Sequence, residues 1–285
     1  MGDAGMSYPG GKGGSGVAQA IINQIPPHDI YIEPFLGSGV IMRTKKPAAK
    51  SYGCDADPDV IARWSADSEW EAPPFSTILN VDAISFLGRF FDGRPRTDRE
   101  FIYIDPPYLF DVRSSKDPIY AHEFGTPEQH EALLDLLKTI PAHVAISGYY
   151  SDLYAQKLAD WRTITFNTID RGGNIKQEWL WMNYSEPQQL HDYRFLGKDY
   201  RERERLAKMR RRWLARLTDM PRLERLMLSA AIAENDVAST TEADDGRRDH
   251  IATNGGTEGE AAANHAGNDG ALEAAGIATS IGATR

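Results

Sequence analysis

The run Phe101-Ile102-Tyr103-Ile104 leads without a break into Asp105-Pro106-Pro107-Tyr108. An apolar run with no polar alternation reads as a strand buried on both faces, the place of a central strand in a parallel sheet covered by helices. Two prolines cannot extend that strand, because each fixes φ and lacks an N–H. The chain must therefore contain a strand that stops at Ile104 and opens at once into a stiff turn. Ile30-Tyr31-Ile32, Ser76-Thr77-Ile78-Leu79 and Val144-Ala145-Ile146 have the same short apolar character and read as further buried strands. Helical patterns separate them. Residues 15–25 place Val17, Ile21, Ile22 and Ile25 on one face. Thr126 is a predicted N-cap, with Pro127 at the first helical position and Gln129 at the third, opening a helix through Leu133, Leu134, Leu136 and Leu137. Such alternation implies an open α/β sheet. Arg162–Thr168 and Glu178–Asn183 are strand-like, and Arg171-Gly172-Gly173-Asn174 between them reads as a hairpin tip.

The 285 residues suffice for one large domain or two small ones with a substantial core. No run of 18 apolar residues occurs, so no membrane span is expected, and the glycine-rich start lacks the apolar stretch of a secretory signal. A single cysteine, Cys54, excludes a disulfide framework and a multi-cysteine zinc site. None of the seven histidines is paired at metal spacing, so no metal is expected.

Charge is distributed unevenly. The whole chain carries −9, yet residues 194–225 hold 12 basic and 5 acidic side chains, and residues 234–285 hold 3 basic and 10 acidic. Leu206, Met209, Trp213, Leu214 and Leu217 fall on one helical stripe, flanked or opposed by Arg210, Arg211, Arg212 and Arg216. Such a segment suits a polyanion or, equally, a solvated helix face. The last stretch has too little apolar surface to offset its ordering entropy and is expected to be disordered. Three parts follow: an α/β domain over 1–189, a basic helical extension over 190–233 and an acidic tail over 234–285.

Three short segments carry chemistry. Ile30-Tyr31-Ile32-Glu33-Pro34-Phe35-Leu36-Gly37-Ser38-Gly39 is a strand running into a loop with glycines two apart. Ligands of open sheets sit outside the carboxyl ends of strands, where glycines permit close approach and a helix N-terminus offers N–H groups. Met42 stands where a dinucleotide fingerprint needs its third glycine, which disfavours a dinucleotide. Asp55 follows about 20 residues after the loop, the usual distance for an acid that binds ribose hydroxyls; Asp57, before Pro58, reads as a helix cap. In Asp105-Pro106-Pro107-Tyr108 a carboxylate, outward carbonyls and an aromatic face surround one small space. They suit a planar ring bearing an amino group: the carboxylate and the Pro106 carbonyl accept the amine hydrogens and Tyr108 stacks.

In this order the segments resemble the amino-directed, S-adenosylmethionine-dependent DNA methyltransferases, in particular the Dam-like DNA adenine methylases of bacteriophage or prophage type. The family's aromatic-x-Gly-Gly-Lys opening is matched by Tyr8-Pro9-Gly10-Gly11-Lys12, its Glu-Pro-Phe-x-Gly-x-Gly loop by Glu33 to Gly39, its acid by Asp55 and its Asp-Pro-Pro-Tyr by Asp105 to Tyr108. Ile146-Ser147-Gly148-Tyr149 and Glu178 to Asn183 also look similar, so the resemblance spans roughly residues 6–185. It implies a Rossmann-like class I methyltransferase sheet with a terminal β-hairpin. It implies a cofactor site of Tyr8, Lys12, Phe35, Gly37, Gly39 and Asp55, with Asp82 either at the cofactor adenine or simply a helix cap. It also implies catalysis by Asp105 with Pro106, Pro107 and Tyr108 on N6 of a flipped-out adenine, double-stranded DNA as partner, a cognate restriction nuclease as a second possible one, and a cytoplasmic setting in a bacterium or phage-infected host.

The chain departs from the Dam pattern in having little room between Asp59 and Glu100 for a target-recognition insert. Candidate DNA contacts are instead Arg113 and Lys116, Arg171 and Lys176, and Arg210, Arg211 and Arg212. Cytosine N4, RNA adenine and protein glutamine are the competing amine substrates, the last disfavoured by an Asp rather than an Asn at position 105. A catalytically silent DNA-binding protein would have no need of an amine-directed acceptor.

Overall fold

A computed structural model describes residues 16–68, 70, 73–112, 124–169 and 175–235. Seven strands form one sheet: β1 Ile30–Glu33, β2 Lys50–Asp55, β3 Ser76–Asn80, β4 Glu100–Ile104, β5 His143–Gly148, β6 Arg162–Ile169 and β7 Ile175–Met182. Their order is β3-β2-β1-β4-β5-β7-β6. The pairs from β3 through β5 are parallel, and β7 runs antiparallel to both β5 and β6. This is a Rossmann-like open sheet whose chain order reverses at β1/β4. The β6–β7 hairpin, wedged in with β7 against β5, completes the class I methyltransferase arrangement expected from the sequence.

The helices are α1 Val17–Ile22, α2 Val40–Thr44, α3 Pro58–Ala66, α4 Ala83–Phe91, α5 Pro127–Thr139, α6 Asp152–Lys157 and α7 Tyr200–Asp219. Successive strand residues point to opposite faces, so each central strand feeds two cores. Tyr31, Phe101, Tyr103, Ala145, Leu180 and Met182 face α1, α2 and α3. Ile32, Ile102, Ile104, Val144, Ile146 and Trp181 face α4, α5 and α6. All five residues of β4 are buried, Glu100 at its start together with the apolar run Phe101–Ile104. β3 differs from expectation. It is an edge strand, and Ile78 and Leu79 are only half-buried because one side of it has no neighbouring strand.

Local signals decide where helices begin. Thr126 accepts from the Gln129 backbone and the Gln129 side chain reaches back, closing the capping box with Pro127 in the first turn. Asp57 caps α3 through Asp59 N, and Asp82 caps α4 through Ser85 N.

Residues 190–199, placed within the helical extension by the sequence, form an irregular strap on the sheet domain instead. His191 N donates to Ile25 O, and Asn23 Nδ2 donates to Phe195 O. Asp192, only 2% exposed, takes a bidentate Arg194 and the Lys46 amide. α7 then follows, with none of its side chains buried. On its predicted stripe Met209, Trp213 and Leu214 are all exposed. The chain divides into two compact units, Met1–Arg216 and Leu217–Arg285. In the second, a helix over residues 222–235 exposes Leu223, Leu226, Met227 and Ile232. Residues 236–285 of the expected tail lie outside the described residues. No helix among the described residues is long and apolar enough to cross a membrane.

Removing the α5 cap tests the local reading. Thr126→Ala is expected to cost about 1 kcal/mol, seen as a Tm lower by about 2–4 °C in calorimetry.

Candidate active site

The carboxyl ends of β2, β1 and β4 lie side by side, because β1 pairs in parallel with both neighbours. All three chemistry-bearing segments leave the sheet at this edge. After β1 the chain turns through Gly37 (φ 45°) and Gly39 (φ 59°), both in the left-handed region that residues with a Cβ rarely occupy. Gly37 N donates to Asp55 Oδ2 at 2.9 Å, and the other Asp55 oxygen accepts from Asp57 N at 2.9 Å. These two bonds fix the Asp55 carboxylate against the glycine loop. Leu36 N bonds to Cys54 O and Trp64 Nε1 to Gly37 O, tying the loop to β2 and α3. A Cβ on Gly39 would lie 2.2 Å from the Trp64 ring. That glycine is therefore required by packing as well as by φ.

Beneath the loop sits a buried carboxylate. Glu33, 3% exposed, accepts from Tyr31 Oη at 2.7 Å and from Met42 N, in the first turn of α2, at 3.0 Å. Burial above all, with the Asp105 charge adding to it, pushes its pKa up to about 8, although the Tyr31 and Met42 hydrogen bonds and Lys45 pull the other way. Lys45 is buried too and lies over the Tyr31 ring at 4.0 Å. Burial lowers its pKa to about 7 against the opposing pull of Glu33 and Asp192.

Asp105 leaves β4 into the two prolines, and every peptide bond among the described residues is trans. Its Oδ1 receives Ser147 Oγ at 3.0 Å and lies 3.2 Å from Tyr108 Oη. Tyr103 Oη lies 2.9 Å behind Ser147. The Tyr108 hydroxyl donates to Glu178 Oε1 at 2.6 Å, and its ring meets Tyr149 edge-on at 4.7 Å. Burial, then the charges of Asp105 and Glu178, holds Tyr108 well above the usual phenol range, so it stays protonated. His130, 1% exposed, places Nε2 at 3.1 Å from Pro107 O and 2.8 Å from Phe124 O, with Nδ1 against Tyr154 Oη. Two carbonyl neighbours require Nε2 to carry the hydrogen. Phe124 in turn meets Phe35 edge-on at 5.1 Å, which joins the proline turn to the glycine loop.

Phe35, Gly37, Gly39, Asp55, Asp105, Pro106, Pro107 and Tyr108 are thus brought to one edge. Asp82 follows β3 at the same edge; Val81 N bonds to Asp55 O, and the Asp82 side chain serves as a helix cap. Tyr8, Lys12, Arg113, Lys116 and Arg171 lie outside the described residues. Lys176 is half-buried at the start of β7, and Arg210, Arg211 and Arg212 are exposed on α7.

Sequence reasoning missed Ser147, Glu178 and His130 as parts of this network, and the buried state of Glu33. Signals existed. His130 stands on the apolar stripe of α5 with Leu133, Leu134 and Leu137, and Glu178 opens an otherwise apolar strand end, positions where a polar group must find a partner.

No family model matches the chain, and no curated protein matches it. Solved structures resemble it loosely. One is precorrin 8w decarboxylase from Methanobacterium thermoautotrophicum, with TM-score 0.41, 13% identity, 62% of this chain and 94% of that one. Another is an rRNA methylase from Streptococcus thermophilus, with TM-score 0.39, 12% identity, 60% and 95%. TrmN from Thermus thermophilus gives TM-score 0.41 and 20% identity over 58% of this chain and 47% of that one. Likenesses this loose carry no argument about substrate or activity.

Glu33 has a clear pH signature. Its raised pKa means the folded state holds the proton more tightly, so its contribution is present below the ordinary value of 4.5 and lost as pH rises towards about 8. Urea midpoints of wild type and Glu33→Gln measured from pH 5 to 8 should show the variant gaining steadily on wild type. A pH-independent difference would show that Glu33 titrates like a solvent-exposed acid.

Proposed function

We propose that this protein is an S-adenosylmethionine-dependent methyltransferase acting on N6 of adenine in double-stranded DNA. One observation carries the reading: an acceptor carboxylate, a rigid double-proline turn and an aromatic ring stand on the strand next to a glycine loop that is itself bonded to the acid of the following strand. The choice of adenine and of DNA rests on the family resemblance of the motifs.

The residues present fit the cofactor. Two left-handed glycines keep the loop low in side-chain bulk, Asp55 sets a carboxylate, the group that hydrogen-bonds ribose hydroxyls, beside that loop, and Phe35 offers an aromatic wall. When bound, the cofactor supplies a sulfonium methyl group. The chain's own contribution is to the amine. An aryl amine is a weak nucleophile because its lone pair is delocalised into the ring. Asp105 accepts one amine hydrogen and the Pro106 carbonyl the other, which favours a pyramidal nitrogen with an available lone pair. The Pro107 carbonyl is engaged by His130 and serves to hold the turn. Ser147 fixes the Asp105 carboxylate from behind. Orientation of this kind contributes about 7–11 kcal/mol in well-aligned systems. A base in a duplex must be flipped out at a cost of a few kcal/mol, and stacking on Tyr108 returns about 1–3 kcal/mol.

Duplex binding is assigned to the exposed arginines of α7, with Lys176 at the start of β7. Phosphate neutralisation makes affinity fall with salt, the slope of log K against log salt being about −0.9 per neutralised phosphate.

Two measurements test this reading. Modified-base sequencing of DNA from cells expressing the protein should reveal N6-methyladenine at a defined motif. Asp105→Ala should lose at least about 100-fold in transfer with its melting temperature kept; substantial turnover would refute the role of Asp105. Separately, replacing Arg210, Arg211 and Arg212 by Gln should flatten the salt dependence of duplex binding by about one slope unit for each phosphate no longer neutralised. An unchanged slope in fluorescence anisotropy would return α7 to the status of a solvated helix.

A further inference from the structure

We infer that Trp64 and Arg43 are positioning residues for the cofactor: acting together through the backbone of the glycine loop, they hold it in the form that receives S-adenosylmethionine. The inference rests on the methyltransferase reading above. The loop needs such a restraint. Gly37 and Gly39 enter the left-handed region easily, and for the same reason they leave it easily. A loop that wanders must be ordered by its ligand, which weakens binding, whereas a loop already held binds more tightly.

Two helices supply the restraint. Trp64 lies on the buried row of α3, four residues after Val60, and is 4% exposed. Its Nε1 donates to Gly37 O at 2.8 Å. Arg43, in the last turn of α2, turns back on the loop, and its Nε donates to the next carbonyl, Ser38 O, at 3.0 Å. Successive carbonyls of the loop are thus drawn towards α3 and α2. The two donors are themselves joined. The Arg43 guanidinium lies 3.8 Å from the centre of the Trp64 ring, and its Nη1 pairs at 2.7 Å with Asp67, the residue that ends α3. With its side chain 30% exposed, the ion pair alone would contribute little. A guanidinium that also stacks on a buried indole and bonds a carbonyl is fixed in three directions, a geometry that needs the planar fork of arginine. The Trp64 ring also fills the space that a Cβ on Gly39 would take, so one indole meets the loop at Gly37 through its N–H and at Gly39 through its ring. Loop, α2, Arg43 and Trp64 form a closed brace.

The test compares Trp64→Phe, Arg43→Met and the double variant with wild type. Val144→Ala, which thins the core near the amino end of β5, is the control for general destabilisation. S-adenosylhomocysteine affinity is read by calorimetry. Backbone amide exchange over residues 34–42 is read by mass spectrometry with no ligand present. Each single variant should weaken affinity by about three- to tenfold, the factor that one net hydrogen bond represents. The KM for S-adenosylmethionine should rise alike and kcat at saturation stay near wild type, while exchange over residues 34–42 speeds up. Either loss alone frees the loop, so the double variant should be weakened by less than the product of the two factors. Val144→Ala should lower the melting temperature and leave affinity and loop exchange unchanged. Arg43→Met alters a partly exposed side chain, so it keeps the test open should Trp64→Phe not fold. Unchanged affinity or unchanged loop exchange in the single variants, a fully multiplicative double variant, or an equal loss in Val144→Ala would each overturn the inference. If wild type binds no S-adenosylhomocysteine while the variants speed loop exchange, the brace stands, and the cofactor reading falls together with the use assigned to the brace.

Discussion

The parallel pairing of β1 with β2 on one side and β4 on the other is the constraint from which the site follows. Parallel strands deliver their carboxyl ends to the same edge, so a loop, an acid and a proline turn that are far apart in sequence arrive together without long-range side-chain recognition. Gly37 and Asp55 then need only one hydrogen bond to join the first two segments. The third joins through aromatic contact, Phe35 to Phe124, and through His130 to the Pro107 carbonyl. Moving β1 out of the centre would scatter all three.

Much of this edge was legible in the sequence because its signals are local. The strand end at Ile104 is dictated by the prolines that follow it, and the start of α5 by Thr126, Pro127 and Gln129 acting within one turn. Glycines two apart mark a loop whose backbone enters the left-handed region. The hairpin too was visible as two strand-like runs about a glycine pair, although β7 begins at Ile175, earlier than its apolar run suggests. The polar pair after its first residue, Lys176 and Gln177, gave no strand pattern. They pair with Thr168 and Asn167 through the backbone, to which side-chain polarity is irrelevant.

What stayed hidden is nonlocal. From the sequence alone residues 190–199 read as the start of the basic helical extension, and Asp192 and Arg194 look like two more surface charges. Only the fold sets them against the Lys46 amide and the Thr44 carbonyl, where a buried Asp192 and a half-exposed Arg194 become a fastening. The amphipathic stripe of α7 is a genuine pattern, but a pattern does not say whether a partner exists, and in this structure Met209, Trp213 and Leu214 are exposed. Glu33 is the sharpest case. Within the Glu-Pro-Phe segment it could serve a ligand or the protein. The structure gives its oxygen to Tyr31 and the Met42 amide, beneath the loop it helps to shape.

The carboxylates divide the work around one edge. Glu33 fixes the entry to α2 and Asp55 fixes the glycine turn, so each carboxylate restrains backbone. Asp105 is restrained by others, through Ser147 and the prolines. Glu178 acts on a hydroxyl of the proline turn. Asp105, at the end of β4, takes side-chain hydroxyls, which can reorient where backbone amides cannot.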